Sequence, residues 1–149
     1  MIVFEELIGT LEKIQRGMPY IVEETAKDDY IQKQFIDLNQ EQMYAGKNND
    51  GSPIEPEYAE STKKYKKRRG DPQDRVTLLD KGKFYDDMKN VFSSTGVTLT
   101  STDPKTKRLT KKYGEEIFGL TPDSLDKVRE EFFAILRYKV VSRYFPHLL

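Results

Sequence analysis

The chain has 149 residues, with 25 Lys and Arg against 25 Asp and Glu, so it carries no net charge although charged residues make up 34% of it. That balance removes the global basic field of a general DNA-binding domain. The absence of cysteine removes disulfides, thiol catalysis and zinc–thiolate sites together.

The length suits a single domain over 1–149, able to bury roughly 68–70% of the surface its unfolded chain exposes. No apolar run approaches the about 18 residues of a bilayer span. Met1-Ile2-Val3-Phe4-Glu5-Glu6 lacks the basic stretch and apolar core of a signal peptide, so neither export nor membrane insertion is expected.

Phe4, Leu7, Ile8, Leu11 and Ile14 recur at three- and four-residue spacings, which predicts an amphipathic helix over about 2–15. Gly17 and Pro19 are expected to interrupt it. A second helix is expected over about 20–44, with Ile21, Val22, Tyr30, Ile31, Phe35, Leu38 and Gln42 near one face. Unbroken, it would extend about 38 Å at 1.5 Å per residue, so part of it should project or pack on a neighbouring subunit.

A polar, turn-rich insert follows over about 47–120. Asn48-Asn49-Asp50-Gly51-Ser52-Pro53 is a loop, because Asn, Asp and Gly tolerate positive φ and supply side-chain turn bonds. A short helix is expected around 57–66, and Gly70-Asp71-Pro72 breaks the chain again. Leu78, Leu79 and Phe84 suggest a helical turn leading into strands. Met88–Phe92 and Val97–Thr100 flank Ser93-Ser94-Thr95-Gly96, which predicts a β-hairpin over about 87–101. Lys105 to Lys112 reads as a mobile basic loop.

Thr121-Pro122-Asp123-Ser124 opens a last helix over about 122–144: Thr caps, Pro suits the first helical position and Asp the positive dipole end. Leu125, Val128, Phe132, Ile135, Leu136 and Val140 form its stripe, and Pro146 stops it. The class is α+β, long N- and C-terminal helices packed with a small antiparallel β-hairpin or sheet from the middle of the chain.

The sequence offers little for catalysis. His147 is the only histidine, so a Ser–His–Asp arrangement would depend on that one ring, which reads as a surface group. Asp80, Asp86, Asp87, Glu115 and Glu116 lack a diagnostic spacing for Mg²⁺ or glycoside hydrolysis and read as solvated faces and caps. Asn48–Gly51 lacks the remainder of a calcium loop, and no phosphate-cradling or nucleophile-elbow motif occurs. No enzyme, cofactor or metal is expected.

Lys63-Lys64-Tyr65-Lys66-Lys67-Arg68-Arg69 places six cations in seven positions around an aromatic. Such a run neutralises phosphates while Tyr stacks on a base, or it serves as a solvated or subunit-contacting surface. Residues 1–31 carry seven acids against three bases, so one subunit's middle has an opposite charge in another's N-terminal helices. The run is therefore a candidate DNA or subunit contact.

The central segment resembles phage virion-morphogenesis and tail-completion proteins, which include head–tail joining proteins. Gly51, Pro53, Tyr58, Thr62, Lys63, Lys64, Leu78, Leu79, Asp80, Gly82, Tyr113 and Gly114 carry the resemblance, over about residues 31–120. It implies a non-enzymatic structural protein of the virion neck or tail, assembled in host cytoplasm. It also implies a homo-oligomeric ring touching portal, adaptor or tail-tube proteins, and a basic loop near packaged DNA. Many relatives continue with a β-rich half where this chain has a long apolar helix, which leaves adaptor, stopper and tail terminator open. Two other readings compete: a small intracellular nucleic-acid-binding or regulatory module using Lys63–Arg69, and a metal-dependent hydrolase using acids near Asp80–Asp87.

Overall fold

The computed structural model describes residues 4–93 and 95–149. Among these, six α-helices and one antiparallel β-hairpin give an α+β protein with long terminal helices. The chain forms two compact units, one of residues up to Gln32 with Lys127–Leu149, the other of Lys33–Asp126. No helix among the described residues is long and apolar enough to cross a membrane.

In the first unit, α1 (Phe4–Ala26) runs unbroken through Gly17 and Pro19, and the next helix, α2 (Asp29–Tyr44), starts nine residues later than Tyr20. The expected helices over 2–15 and 20–44 are corrected accordingly. In isolation, proline would cost about 3 kcal/mol and glycine about 1 within a helix. Contacts with the C-terminal helix α6 (Pro122–Tyr144) offset that cost. Lys139 Nζ and Arg143 Nη2 donate to Glu24 at 3.2 and 3.0 Å, and the Tyr144 phenol donates to the Lys13 carbonyl at 3.3 Å. Gly17 makes room for that phenol, since a Cβ there would stand 2.0 Å from Tyr144 Oη.

The break falls instead at Lys27 and Asp28. The Asp28 N–H closes a tight turn on Thr25 O, and its carboxylate accepts from the Tyr30 N–H at 3.0 Å. Asp28 thereby starts α2 as a capping residue. Within the first unit's described residues, only Ile21, Thr25, Ile31 and Val128 are buried. Most of its apolar side chains stay in contact with water.

The second unit centres on Met43, Phe84, Leu99, Ile117, Phe118 and Leu120, all buried. Amide side chains tie α2 and the loop after it to the 116–121 backbone. Asn39 Nδ2 donates to Ile117 O at 3.1 Å and Asn49 Nδ2 to Phe118 O at 3.1 Å. Gln42, expected on an apolar face, is buried as a two-way clamp: Nε2 donates to Gly119 O and Oε1 accepts from the Thr121 N–H. Each bond satisfies backbone that the core would otherwise strand.

Strands β1 (Met88–Ser93) and β2 (Gly96–Ser101) pair antiparallel from Met88 opposite Ser101 to Ser93 opposite Gly96. The expected hairpin is found there; its turn residue Ser94 lies outside the described residues. The C-terminal helix has the expected limits. Two expectations need correction. The short helix is α3 (Glu60–Arg69) rather than 57–66, because Tyr58 is engaged elsewhere and Ala59 is extended. Lys105–Lys112 is not a loop but largely α5 (Thr106–Tyr113). The Asp103 carboxylate accepts the Lys105 N–H at 2.7 Å to start that turn, and Lys and Arg are good helix formers.

Asp28→Ala is expected to cost about 1 kcal/mol through loss of the α2 cap, read as a lower denaturation midpoint. Glu24 is held below the ordinary glutamate value of 4.5, first by its hydrogen bond to Lys139 and then by Arg143. A depressed carboxylate stabilises above its unfolded value and loses that contribution as pH falls through the folded one. Glu24→Gln should therefore melt below the native protein at pH 7, and the gap should close as the pH is taken well below 4.5.

Candidate functional site

The loop from Val76 to Asp80 has a conformation its own sequence does not favour: Leu78, a non-glycine residue, sits at φ +56°. Four side chains hold it. The Tyr58 hydroxyl oxygen accepts the N–H groups of Thr77 and Leu78, both at 3.0 Å. The Tyr85 phenol donates to Thr77 O at 2.5 Å. Burial pushes that phenol above its usual range, which keeps it a donor. Lys66 Nζ donates to Leu79 O at 2.6 Å, and Arg69 grips both the carboxylate and the carbonyl of Asp80.

This loop forms the floor of a cleft of about 320 Å³ between α3 and α5. Tyr58, Tyr65, Leu79, Leu109 and Tyr113 give it aromatic and aliphatic walls, and Lys81, Lys105 and Arg108 are cations at its lining. Gly82, at φ +85°, turns the chain into the short helix α4 (Lys83–Asp86), whose buried Phe84 packs on Phe118 with ring centroids 5.8 Å apart. The Ser101 hydroxyl donates to Phe84 O, which fixes the hairpin's end to the cleft floor.

The basic run divides by helical phase. Lys66 and Arg69, three apart, face the loop; Lys66 is only 5% exposed, with its ammonium 4.9 Å from the centroid of the Tyr58 ring. Tyr65 stacks under Arg69 and accepts a hydrogen bond from it. Lys63 pairs with Glu57 and Glu60, its ammonium held above the usual lysine value chiefly by the hydrogen bond to Glu57. Lys64, Lys67 and Arg68 point outward, exposed and without a carboxylate partner among the described residues. Of the candidate contact Lys63–Arg69, three cations are thus exposed and without a carboxylate partner among the described residues, and Lys66 is not on the surface.

Two of the acids that a metal-dependent reaction would recruit are engaged. Asp80 meets Arg69 and Lys105, Asp87 meets Lys83, and no cluster of three His, Asp or Glu able to hold a metal occurs among the described residues. His147 is exposed, with its ring edge on Phe145.

Sequence reasoning missed the α5 wall. The spacing of Lys105, Arg108, Leu109 and Tyr113 is helical, and Asp103-Pro104 is an entry signal, but the density of charge masked both. Of the residues carrying the family resemblance, Tyr58, Thr62, Leu78, Leu79, Asp80 and Gly82 line this one cleft, together with Tyr113. Comparison with protein-family models, with curated proteins and with solved structures gave no match to the chain.

Tyr58→Phe leaves two backbone donors without their acceptor and should cost about 2 kcal/mol in urea unfolding. Lys66→Gln should also destabilise measurably. The triple variant Lys64→Gln, Lys67→Gln, Arg68→Gln should unfold within about 0.5 kcal/mol of the native protein.

Proposed function

We propose that the chain is a structural protein of a phage virion, a subunit of a neck or tail ring that joins the DNA-filled head to the tail. One observation carries this reading: the terminal helices leave a set of large apolar side chains exposed. Phe4, Leu7, Ile8 and Leu11 form a continuous exposed stripe on α1, with Phe4 74% and Leu11 54% accessible, and Phe133 and Tyr138 are exposed on α6. Contiguous apolar surface of this kind marks a face meant for another protein. A ring requires one, since each subunit must present complementary faces to both neighbours.

The convergence of the resemblance residues on a single cleft adds support, because it gives those scattered positions a common structural purpose. The task is adaptation between two large assemblies, and the side chains at the cleft suit docking better than turnover. Adaptor, stopper and tail terminator are alternative positions within the same proposal.

A second reading has its own observation, the outward trio Lys64, Lys67 and Arg68. Three phosphate contacts would give a binding slope of about −2.7 against log salt, so duplex affinity would fall about 40-fold between 50 and 200 mM salt. The triple Gln variant would abolish that binding.

The purified full chain is expected to form a discrete closed oligomer in light scattering and rings in negative-stain images, and to be detected by mass spectrometry in intact particles. A strictly monomeric chain that is absent from particles would sink the ring reading. Salt-dependent duplex binding by that monomer would favour the second.

A further inference from the structure

We propose that the cleft between α3 and α5 receives the N-terminal half of α1 from a second copy of this chain, so that the ring propagates through a knob and a hole on different parts of the molecule. This rests on the ring reading and specifies its contact.

The hole has a particular chemistry. Lys66 is buried, and among the described residues its ammonium has a carbonyl and an aromatic face as partners but no carboxylate. Lysine is seldom buried without an opposite charge. Lys81 and Arg108, also at the cleft, have no carboxylate partner among the described residues either. The cleft's one acid, Asp80, is already taken by Arg69 and Lys105. What remains is an unneutralised positive charge set in aromatic and aliphatic walls. The occupant that fits carries apolar side chains edged by carboxylates.

A duplex nucleic acid does not fit that description. Its phosphates would meet the cations but leave the walls of Tyr65, Leu79 and Leu109 uncovered, and a cleft of about 320 Å³ is the size of a few side chains. The exposed stripe of α1 does fit. Phe4, Leu7, Ile8 and Leu11 fall on one face at helical spacing, and Glu5 and Glu12, seven residues apart, lie along one edge of it. Glu5 has no partner among the described residues, and Glu12 has only the solvent-exposed Arg16, 3.4 Å away. Apolar side chains would enter the cleft while the two carboxylates meet Lys81 and Arg108. A contact of this heterologous kind closes a ring or extends a filament, as the rotation between copies dictates.

Charge reversal on the full-length protein tests the pairing. Glu5→Lys with Glu12→Lys, or Lys81→Glu with Arg108→Glu, should each raise the apparent dissociation constant of self-association by about tenfold or more. Mixing the two double variants, or combining all four changes in one chain, should restore association to within about threefold of the native value. Circular dichroism checks the fold. If Lys81→Glu with Arg108→Glu does not fold, Lys81→Gln with Arg108→Gln takes its place and should weaken association in the same direction.

Native-like association of both double variants would overturn the pairing and leave the ring reading standing, since the copies would then meet elsewhere. So would two weakened variants that the mixture fails to rescue. Loss of duplex binding with Lys81→Glu and Arg108→Glu, with association unchanged, would assign the cleft to nucleic acid instead. A native chain that stays monomeric at all concentrations would overturn the ring reading and the pairing together.

Discussion

The hydroxyl oxygen of Tyr58 is a single atom on which the loop at the base of the cleft is organised. It takes the N–H groups of two consecutive residues, Thr77 and Leu78, where the backbone passes through a conformation that leucine resists. No repeating ladder serves this stretch, so its donors depend on side chains brought from elsewhere in the chain. Lys66, Arg69 and Tyr85 complete the set. Once the loop is fixed, Leu79 and Asp80 stand where α3 and α5 can flank them and Gly82 can turn the chain toward the hairpin. The cleft is a product of that anchoring.

The same economy explains why positive charge on α3 has two uses. A lysine that donates to a buried carbonyl and lies over an aromatic ring is part of the scaffold, whereas its neighbours one and two positions away face water. The acids respect the division, with Asp80 and Asp71 near Arg69 and Glu57 and Glu60 near Lys63. A net charge of zero hides this segregation completely.

Local signals in the sequence match the structure where the structure is local. Thr121-Pro122-Asp123 announces α6, and the β-branched runs on either side of Thr95-Gly96 announce the hairpin. Signals failed where distant packing overrides them. Gly17 and Pro19 look like a break, yet α1 continues because Tyr144, Lys139 and Arg143 hold it from more than a hundred residues away. The cleft was half legible: Tyr58, Thr62, Leu79 and Asp80 were singled out by resemblance, without a reason. For Tyr58, Leu79 and Asp80 the reason lies in hydrogen bonds between residues 11 to 20 apart, and periodicity within one element says nothing about those. Gln42 shows the converse error, since its position on an apolar face was correct while its side chain does polar work there.

Because α3 assigns its cations by rotation, the helix is sensitive to length more than to composition. One extra residue between Glu60 and Lys66 would turn everything after it by about 100°. With a neutral residue added ahead of Lys63, the stretch would still hold six positive side chains in seven and the same isoelectric point. Its anchoring amine would swing toward solvent, and the loop beneath would lose its hold. Insertions and deletions, rather than exchanges of one cation for another, are the changes this segment tolerates least.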